Sequence, residues 1–363
     1  MTPTYCPMAW VSINYIPNNI TPCIFWKGGS TDISALRQDM LDGKKTAGCE
    51  QCYTAEAHGA ESGRQEAIRL YGYTTDVKLK MLGISFDNLC NLKCRGCATP
   101  SSHMWHDDEI SIYGKTFFDD KKYLVTDFEV DYTNLEDLKI SGGEAFLSKK
   151  ADIFFTKLKE HDVLKNIDLG ISSNGTVLPS PAAVTAMTEA KNCTLTISVD
   201  GIGSLNDYFR SGSNFNELVN NLHYFKSLGI TIRVHTTVTI YNVNLLKQIE
   251  SYFQQHFPEF DISHRILLWP QQLSIQHMPN SLKDLVRPTV ETYGSKYSDV
   301  LAALNSPSDN LFGHFLNFHN TLDFLRKETL GQSNPLLSNY ISQNNIEVDS
   351  KIFFISQMEM LSS

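Results

Sequence analysis

Three closely spaced cysteines are the residues of this sequence best suited to chemistry. Cys90, Cys94 and Cys97 follow the pattern C-x3-C-x2-C, directly after an apolar stretch that predicts a β-strand. Three thiolates in one compact loop can bind three irons of a cubane cluster and leave the fourth iron open to another ligand. Zinc is the alternative, but structural zinc takes four protein ligands, and His103 is the nearest further candidate. The spacing therefore favours an iron-sulfur cluster with an open iron.

A second group of cysteines precedes the first in the sequence. It consists of Cys6, Cys23, Cys49 and Cys52. Four thiolates complete the ligand set of either a second [4Fe-4S] cluster or a tetrahedral zinc ion. A fully ligated cluster would have no open iron, so we expect it to relay electrons or to take one from a substrate radical rather than to bind the substrate directly. Cys193 stands alone in an apolar stretch, where a buried thiol that packs as a small hydrophobe is expected.

The composition argues against two classes of partner. The chain has 363 residues, a net charge of −9 and no run of Lys or Arg, whereas binding along a nucleic acid backbone needs clustered positive charge. Its start lacks a secretory signal, and no apolar run approaches the roughly 18 residues of a membrane span. We therefore expect a cytoplasmic protein that binds neither nucleic acid nor membrane. Cytosolic thiols are kept reduced, so eight cysteines indicate metal or redox chemistry rather than disulfides.

Short apolar, β-branched runs alternate with helical patterns over much of the chain, which is typical of a parallel sheet with helical crossovers. The predicted strands are 80–86, 135–141, 166–172, 193–199, 231–240 and 262–269. Six such units predict an α/β fold, a partial (β/α)6 TIM-like barrel with a small N-terminal cysteine-rich module and a helical C-terminal extension. We expect the cluster module over residues 1–75, the partial barrel over 76–275 and the mainly helical extension over 276–363.

Polar and glycine-rich segments follow the predicted strands, at the end where such barrels place their chemistry. These segments are Gly142-Gly143-Glu144, Ser172-Ser173-Asn174-Gly175, and Ser198-Val199-Asp200-Gly201 with the later Arg210. Each alone has an ordinary interpretation: the first two as turns and Arg210 as a solvated surface residue. Their order behind the cysteine loop makes them a joint candidate site.

This succession resembles the radical SAM superfamily over roughly residues 80–270. The resemblance implies that the loop cluster reductively cleaves S-adenosylmethionine (SAM), and that the resulting 5'-deoxyadenosyl radical abstracts a substrate hydrogen. It further implies the SAM contacts: Gly142, Gly143 and Glu144 for the methionine amino group, Ser172 and Asn174 for the ribose, and Arg210 of the Ser198/Asp200 motif for the carboxylate. Gly96 stands where the family usually has an aromatic residue near the adenine.

The N-terminal cysteines resemble an auxiliary-cluster module of the twitch or SPASM-like type, placed before the barrel whereas the familiar arrangement places it after. An oxidoreductase-like enzyme of this kind would draw electrons from a flavodoxin- or ferredoxin-like donor. Arg233 and His235, which alternation places on one face of the fifth predicted strand, and His103 are weak candidates for catalysis.

Three functions stay open on this reading. The first is modification of a peptide or protein side chain by oxidation, cross-linking or epimerisation, which the S-x-D-G...R motif favours slightly. The second is radical oxidation, epimerisation or rearrangement of a small metabolite such as a sugar or an amino acid. The third is a metal-stabilised binding protein without catalysis.

Overall fold

A computed structural model describes residues 2–16, 19–28, 32–57, 61–117 and 130–344. The chain divides into two compact units. The first is drawn from residues 1–89, 122–172 and 179–195, and the second from 90–121, 173–178 and 196–363. The three segments expected from the sequence, with boundaries near 75 and 275, remain a prediction of domain organisation.

The described residues form eight strands in one mainly parallel sheet, in the order β2-β1-β3-β4-β5-β6-β7-β8. The strands are β1 Ser12–Ile16, β2 Asn19–Thr21, β3 Met81–Ser85, β4 Asp137–Ser141, β5 Asp168–Ser173, β6 Asn192–Ser198, β7 Thr231–Val238 and β8 Asp261–Ile266. Strands β3 to β8 coincide with the six predicted ones, and the α/β class is confirmed. The two N-terminal strands were not predicted.

Helices connect and follow these strands. They are α1 Met8–Val11, α2 Ile33–Leu41, α3 Glu50–Ala57, α4 Gly63–Tyr71, α5 His106–Tyr113, α6 Lys149–Glu160, α7 Pro181–Glu189, α8 Ser204–Phe209, α9 Phe215–Ser227, α10 Leu246–His256, α11 Asn280–Glu291, α12 Ser298–Asn305, α13 Phe312–Arg326 and α14 Pro335–Asn344. The predicted helical extension is therefore confirmed as far as residue 344, and residues 345–363 lie outside the described part. Within that part, no helix has the length and apolar character needed to cross a bilayer.

In the first unit, parallel pairing runs from β1 through β3 and β4 to β5. All five residues of β3 are buried, as expected for an apolar strand inside a parallel sheet covered on both faces. Helix α6 buries Phe154, Phe155 and Leu158 at helical spacing. Cys90 is five residues beyond the end of β3, so this central strand fixes where the cysteine loop begins.

In the second unit, β7 and β8 pair in parallel, and the C-terminal helices share one apolar core with α5 and α8. Helix α9, predicted from its apolar spacing, buries Phe215, Leu218, Leu222 and Phe225. Asn214 caps it, because its side-chain oxygen accepts the backbone N–H groups of the first turn.

Helix α13 contributes a buried histidine to this core. The Nδ1 atom of His319 lies 3.1 Å from the Tyr208 hydroxyl and 3.3 Å from the Tyr241 hydroxyl, and Asp323 is 3.7 Å from its other ring nitrogen. Burial lowers the pKa of His319 to about 4, with the Asp323 carboxylate opposing this shift and Arg95 adding to it.

This burial predicts a loss of stability in acid. Below its ordinary pKa of 6.5 the unfolded chain protonates His319, while the folded chain keeps it neutral down to about pH 4. The free energy of unfolding should therefore fall by about 3 kcal/mol more between these pH values in the wild type than in His319→Gln. Chemical denaturation across this range measures the difference. If the free energy of unfolding fell equally with pH in the wild type and in His319→Gln, the prediction would be contradicted.

Candidate active site

The three loop cysteines lie close together in the second unit. Cys90 is buried, and Cys94 and Cys97 are half-buried. Burial raises the pKa of Cys94 to about 11 and raises the pKa of Cys97 as well, and nearby thiols add to both shifts. Among the described residues, no group of three or more Cys, His, Asp or Glu side chains already has the arrangement of a metal site.

The backbone of this loop donates hydrogen bonds to the end of α8 and to the segment after it. The Lys93 N–H donates to the Ser211 carbonyl at 2.9 Å, and the Arg95 N–H donates to the Phe209 carbonyl at 2.7 Å. The Trp105 indole N–H donates to the Cys94 carbonyl at 2.9 Å. These bonds fix the loop at the positions on either side of Cys94.

Two further predicted residues contact Cys90. The Asn174 amide donates to the Cys90 sulfur at 3.8 Å and to the Asn91 side-chain oxygen at 2.9 Å. The Cys90 N–H donates to Nδ1 of His103 at 3.3 Å, so this ring supports the loop backbone. Ser172, by contrast, is exposed on β5 and belongs to the first unit.

Arg210 is the most informative residue of the site. Its Nη1 donates to the Asp200 carboxylate at 2.8 Å, and the other oxygen of Asp200 accepts the Thr237 N–H at 2.8 Å. Burial alone would lower the pKa of Arg210, but the Cys94 thiol and Asp200 more than offset it, so the pKa is raised. The buried Nε atom has no hydrogen-bond partner among the described residues. Half-buried Ser198 ends β6, two residues before Asp200.

A buried donor without a partner, beside three thiols, fits an anionic ligand held next to a metal cluster. Thiolates are the usual ligands of iron-sulfur clusters, and a guanidinium binds carboxylates well. The residues present therefore fit the cluster and the carboxylate of SAM that the sequence implies.

The glycine-rich segment after β4 belongs to the first unit. The Gly143 N–H donates to the Asp87 carbonyl at 3.0 Å, and the Glu144 N–H donates to the Leu89 carbonyl at 2.6 Å. Gly142 has a φ of +120°, which favours glycine. The Glu144 carboxylate is buried and accepts the Phe146 N–H at 3.2 Å. The segment is therefore bonded to the backbone directly before Cys90.

Gly143 allows the glycine-rich segment to lie close to the Leu89 backbone, so a substitution of Gly143 tests the role of this segment. A Cβ atom at position 143 would lie 2.2 Å from the Leu89 carbonyl oxygen. Gly143→Ala must displace backbone here, and we expect it to cost about 1–3 kcal/mol of stability and to weaken SAM binding. Gly313→Ala is the matched control, because no described atom outside its own helix would lie within 4 Å of the added methyl group. Thermal unfolding and calorimetric SAM titration compare the two, and equal effects would contradict the assigned role.

Comparison with known proteins identifies the middle of the chain. Residues 84–253, which contain the cysteine loop, the glycine-rich segment and Arg210, match the model of the Radical SAM superfamily. This segment is a radical SAM domain. A radical SAM domain implies a [4Fe-4S] cluster and SAM. No curated protein sequence matches the chain.

Three solved structures have distant similarity to the chain. Native anSMEcpe with bound AdoMet and the Cp18Cys peptide is 17% identical, covering 68% of this chain and 64% of that chain, with a TM-score of 0.40. Streptococcus suis SuiB bound to S-adenosylmethionine is 13% identical, covering 73% of this chain and 52% of that chain, with a TM-score of 0.35. Streptococcus suis SuiB bound to precursor peptide SuiA is also 13% identical, covering 90% of this chain and 61% of that chain, with a TM-score of 0.35. The chain thus spans less than two thirds of the length of each.

Gly96 of the radical SAM domain lies against an aromatic ring from another part of the second unit. A Cβ atom at this position would be 3.1 Å from Cζ of Phe209 and 3.9 Å from the Leu267 side chain. The close approach of Phe209 explains why a residue as small as glycine stands here.

The N-terminal cysteines lie outside the matched segment, in the first unit. Burial raises the pKa of Cys23 to about 12 and also raises the pKa of Cys6, and in both cases nearby thiols of the same group add to the shift. Cys49 and Cys23 are half-buried against the apolar core that contains Cys6. The four thiols, with Cys52, are therefore mutual neighbours.

A half-buried ion pair supports this cysteine group. Arg64 Nε donates to Glu56 at 2.9 Å, and Arg64 Nη1 donates to the carbonyl of Tyr5, the residue before Cys6, at 3.0 Å. Glu56 and Arg64 thus tie α3 and α4 to the backbone at Cys6.

Two of the weak catalytic candidates have partners across the strand pair β7–β8. Arg233 forms a half-exposed ion pair with Asp261 at 3.0 Å, and His235 Nδ1 lies 2.9 Å from the Ser263 hydroxyl. Burial lowers the pKa of His235. Both lie on the less buried face of β7, and these cross-strand contacts account for both side chains.

Sequence reasoning missed two arginines, Arg95 and Arg326, which bind the cysteine loop to the C-terminal helices. The available signal for Arg95 was its place between Cys94 and Cys97. No sequence signal pointed to Arg326, because its partners lie more than 200 residues earlier in the chain.

Proposed function

We propose that Cys90, Cys94 and Cys97 bind a [4Fe-4S] cluster, and that the chain is a radical SAM enzyme which abstracts a hydrogen atom from its substrate. Buried Arg210 beside these thiols, with an unpaired Nε, is the observation that carries the proposal. When bound, the cluster supplies the electron that splits SAM into methionine and a 5'-deoxyadenosyl radical.

The protein residues would bind and orient SAM. Asp200 fixes the Arg210 guanidinium through one nitrogen, so that Nε remains available for the carboxylate of SAM, with Ser198 nearby in sequence. Gly142, Gly143 and Glu144 would receive the methionine amino group, and Ser172 and Asn174 the ribose. Asn174 already bonds to Cys90, which gives it the added task of orienting a cluster ligand.

The N-terminal thiols, we propose, hold an auxiliary [4Fe-4S] cluster of the twitch or SPASM-like type. Four neighbouring cysteines and the adjacent Arg64 support it, because a nearby cation favours thiolates. Oxidation of a substrate radical releases an electron, and a fully ligated centre could accept it. Zinc in the same four-thiol site would instead make this region a scaffold.

The proposed substrate is a peptide or protein side chain, and the expected outcomes are oxidation, cross-linking or epimerisation. The S-x-D-G...R arrangement of Ser198, Asp200 and Arg210 supports this class, since it resembles that of the peptide-modifying and dehydrogenating branches of the superfamily. One hydrogen atom would pass from a substrate C–H bond to the 5' carbon, giving 5'-deoxyadenosine. We further propose a cytoplasmic enzyme with a flavodoxin- or ferredoxin-like donor, which agrees with all eight cysteines being free thiols.

Isotope transfer tests this proposal. The reduced, anaerobically reconstituted enzyme is incubated with SAM and deuterated candidate peptides, and 5'-deoxyadenosine is examined by mass spectrometry. Deuterium in the nucleoside supports a peptide substrate. Deuterium transfer only from a sugar or free amino acid would reject the peptide substrate and favour the small-metabolite function. Absence of SAM cleavage would reject an enzymatic role.

A further inference from the structure

We propose that two buried arginines latch the cysteine loop to the C-terminal helix α13 and act as positioning residues for the cluster ligands. This arginine latch consists of Arg95 and Arg326 with the carboxylates of Asp108, Asp323 and Glu328. It rests on the proposed cluster at Cys90, Cys94 and Cys97, and it gives the C-terminal extension a task in cofactor binding.

Arg95 lies in the loop itself, directly after Cys94, and its side chain is fully buried. Its Nη2 atom contacts Asp323 at 2.6 Å and Glu328 at 2.8 Å. Its Nε atom donates to the Tyr208 carbonyl at 3.1 Å, and the guanidinium lies 3.8 Å from the centre of the Tyr208 ring. One side chain therefore joins the loop to α8 and to the end of α13.

Arg326, the last residue of α13, reaches the loop from the opposite direction. Its Nη1 donates to the Lys93 carbonyl at 2.6 Å, and its Nε donates to Asp108 of α5 at 2.9 Å. The guanidinium lies 4.6 Å from the Trp105 ring, and the Trp105 indole donates to the Cys94 carbonyl. The three consecutive residues 93–95 are thus each bound by a side chain of the latch or by one packed against it.

The end of α13 is shaped for this contact. Lys327 adopts the left-handed conformation at φ +54°, which ends the helix, and the Glu328 N–H then bonds to the Asp323 carbonyl at 3.1 Å. This turn brings the two carboxylates to the same nitrogen of Arg95. Glu328 also accepts a hydrogen bond from Ser211, whose carbonyl binds Lys93.

Stability of the fold alone does not explain the ion pairs of the arginine latch. Desolvated ion pairs often contribute no more than an apolar core of similar volume. With Lys93 paired to Asp108, three cations face three carboxylates, so the group is neutral but rigid. Groups that hydrogen-bond to a metal ligand orient it, and their loss typically weakens metal binding about tenfold to hundredfold. By holding the backbone on both sides of Cys94, the latch would orient this ligand in the same way. We therefore assign the latch to the geometry and electrostatics of the cluster.

Charge-changing variants test the latch in the full-length, reconstituted protein. We expect Arg95→Met and Glu328→Gln both to lower iron retention against a chelator by about tenfold or more. Their effects on the reduction potential should be opposite in sign, because one removes a buried positive charge and the other a negative charge. Potentiometric titration followed by EPR spectroscopy measures this. A purely structural role would not produce shifts of opposite sign.

Lys283→Met is the matched control. Lys283 is another buried cation of the same unit, in α11, and it donates to the Ser306 carbonyl without contacting the loop. This variant should lose stability but keep the iron and potential of the wild type. If Arg95→Met fails to fold, the isosteric Glu328→Gln, whose carboxylate is partly exposed, carries the test.

Two outcomes would overturn the latch. Iron retention and potentials in Arg95→Met and Glu328→Gln that equal those of Lys283→Met would reject it alone, leaving the cluster intact. A wild-type protein that binds no iron at Cys90, Cys94 and Cys97 would reject the proposed function and the latch together.

Discussion

Cys94→Ser should remove the loop cluster and reduce SAM cleavage to the level of a protein-free control. The substitution changes one atom, but a serine hydroxyl is a much poorer iron ligand than a cysteine thiolate, because it loses its proton far less readily. The loop backbone should persist, because the Cys94 carbonyl keeps its bond from Trp105. We expect a loss of about four irons per chain relative to the wild type, measured by iron and sulfide analysis after anaerobic reconstitution.

Cys193→Ser is the control for this change. Cys193 lies buried in β6 and belongs to neither group of neighbouring cysteines, so we do not expect it to bind metal. This variant should retain the iron content and SAM cleavage of the wild type. Equal iron in Cys94→Ser and Cys193→Ser would exclude Cys94 as a ligand.

Cys49→Ala should remove about half of the iron of the wild type while leaving SAM cleavage that is no longer coupled to product. The reason is separate ligation, since a chain with two cubanes holds about eight irons and each site has its own cysteines. Cys49 belongs to the first unit, whereas Cys90, Cys94 and Cys97 belong to the second. Metal analysis combined with product assays measures both parts of the expectation.

The metal itself decides between the alternatives at the N-terminal site. Zinc in the wild type that disappears in Cys49→Ala would make this region a structural module and remove the second electron path. Unchanged iron in Cys49→Ala, without zinc, would reject a metal centre at these four thiols.

Sequence patterns identified the strands whose residues are apolar but missed those that depend on specific partners. Strand β3 is apolar up to its last residue, Ser85, and was predicted almost to its ends. Strand β1 contains Ser12 and Asn14, which read as polar, yet Asn14 is buried because its amide bonds to Thr21 of β2. Such a local hydrogen bond removes the usual cost of burying an amide, and no periodicity reveals it.

The residues of the candidate site likewise fall into those that a sequence motif indicates and those that depend on distant partners. The cysteine spacing and the SVDG...R motif indicated Arg210, because both are short motifs of residues close together in the sequence. The structure adds the hydrogen bond from Arg210 to Asp200 and the Arg210 Nε atom that has no partner among the described residues. The arginine latch was invisible to sequence reasoning, since Arg95 meets Asp323 across 228 residues of chain. A buried cation and its distant carboxylate have no spacing rule in the sequence, so only the folded chain shows the pair.

The most direct measurement is 5'-deoxyadenosine formation by the reduced protein. Wild type and Cys90→Ala/Cys94→Ala/Cys97→Ala are reconstituted anaerobically, reduced with dithionite and incubated with SAM, and the nucleoside and methionine are quantified by chromatography. We predict equimolar 5'-deoxyadenosine and methionine from the wild type and neither above background from the triple variant. SAM cleavage that survives the loss of all three cysteines would contradict the account.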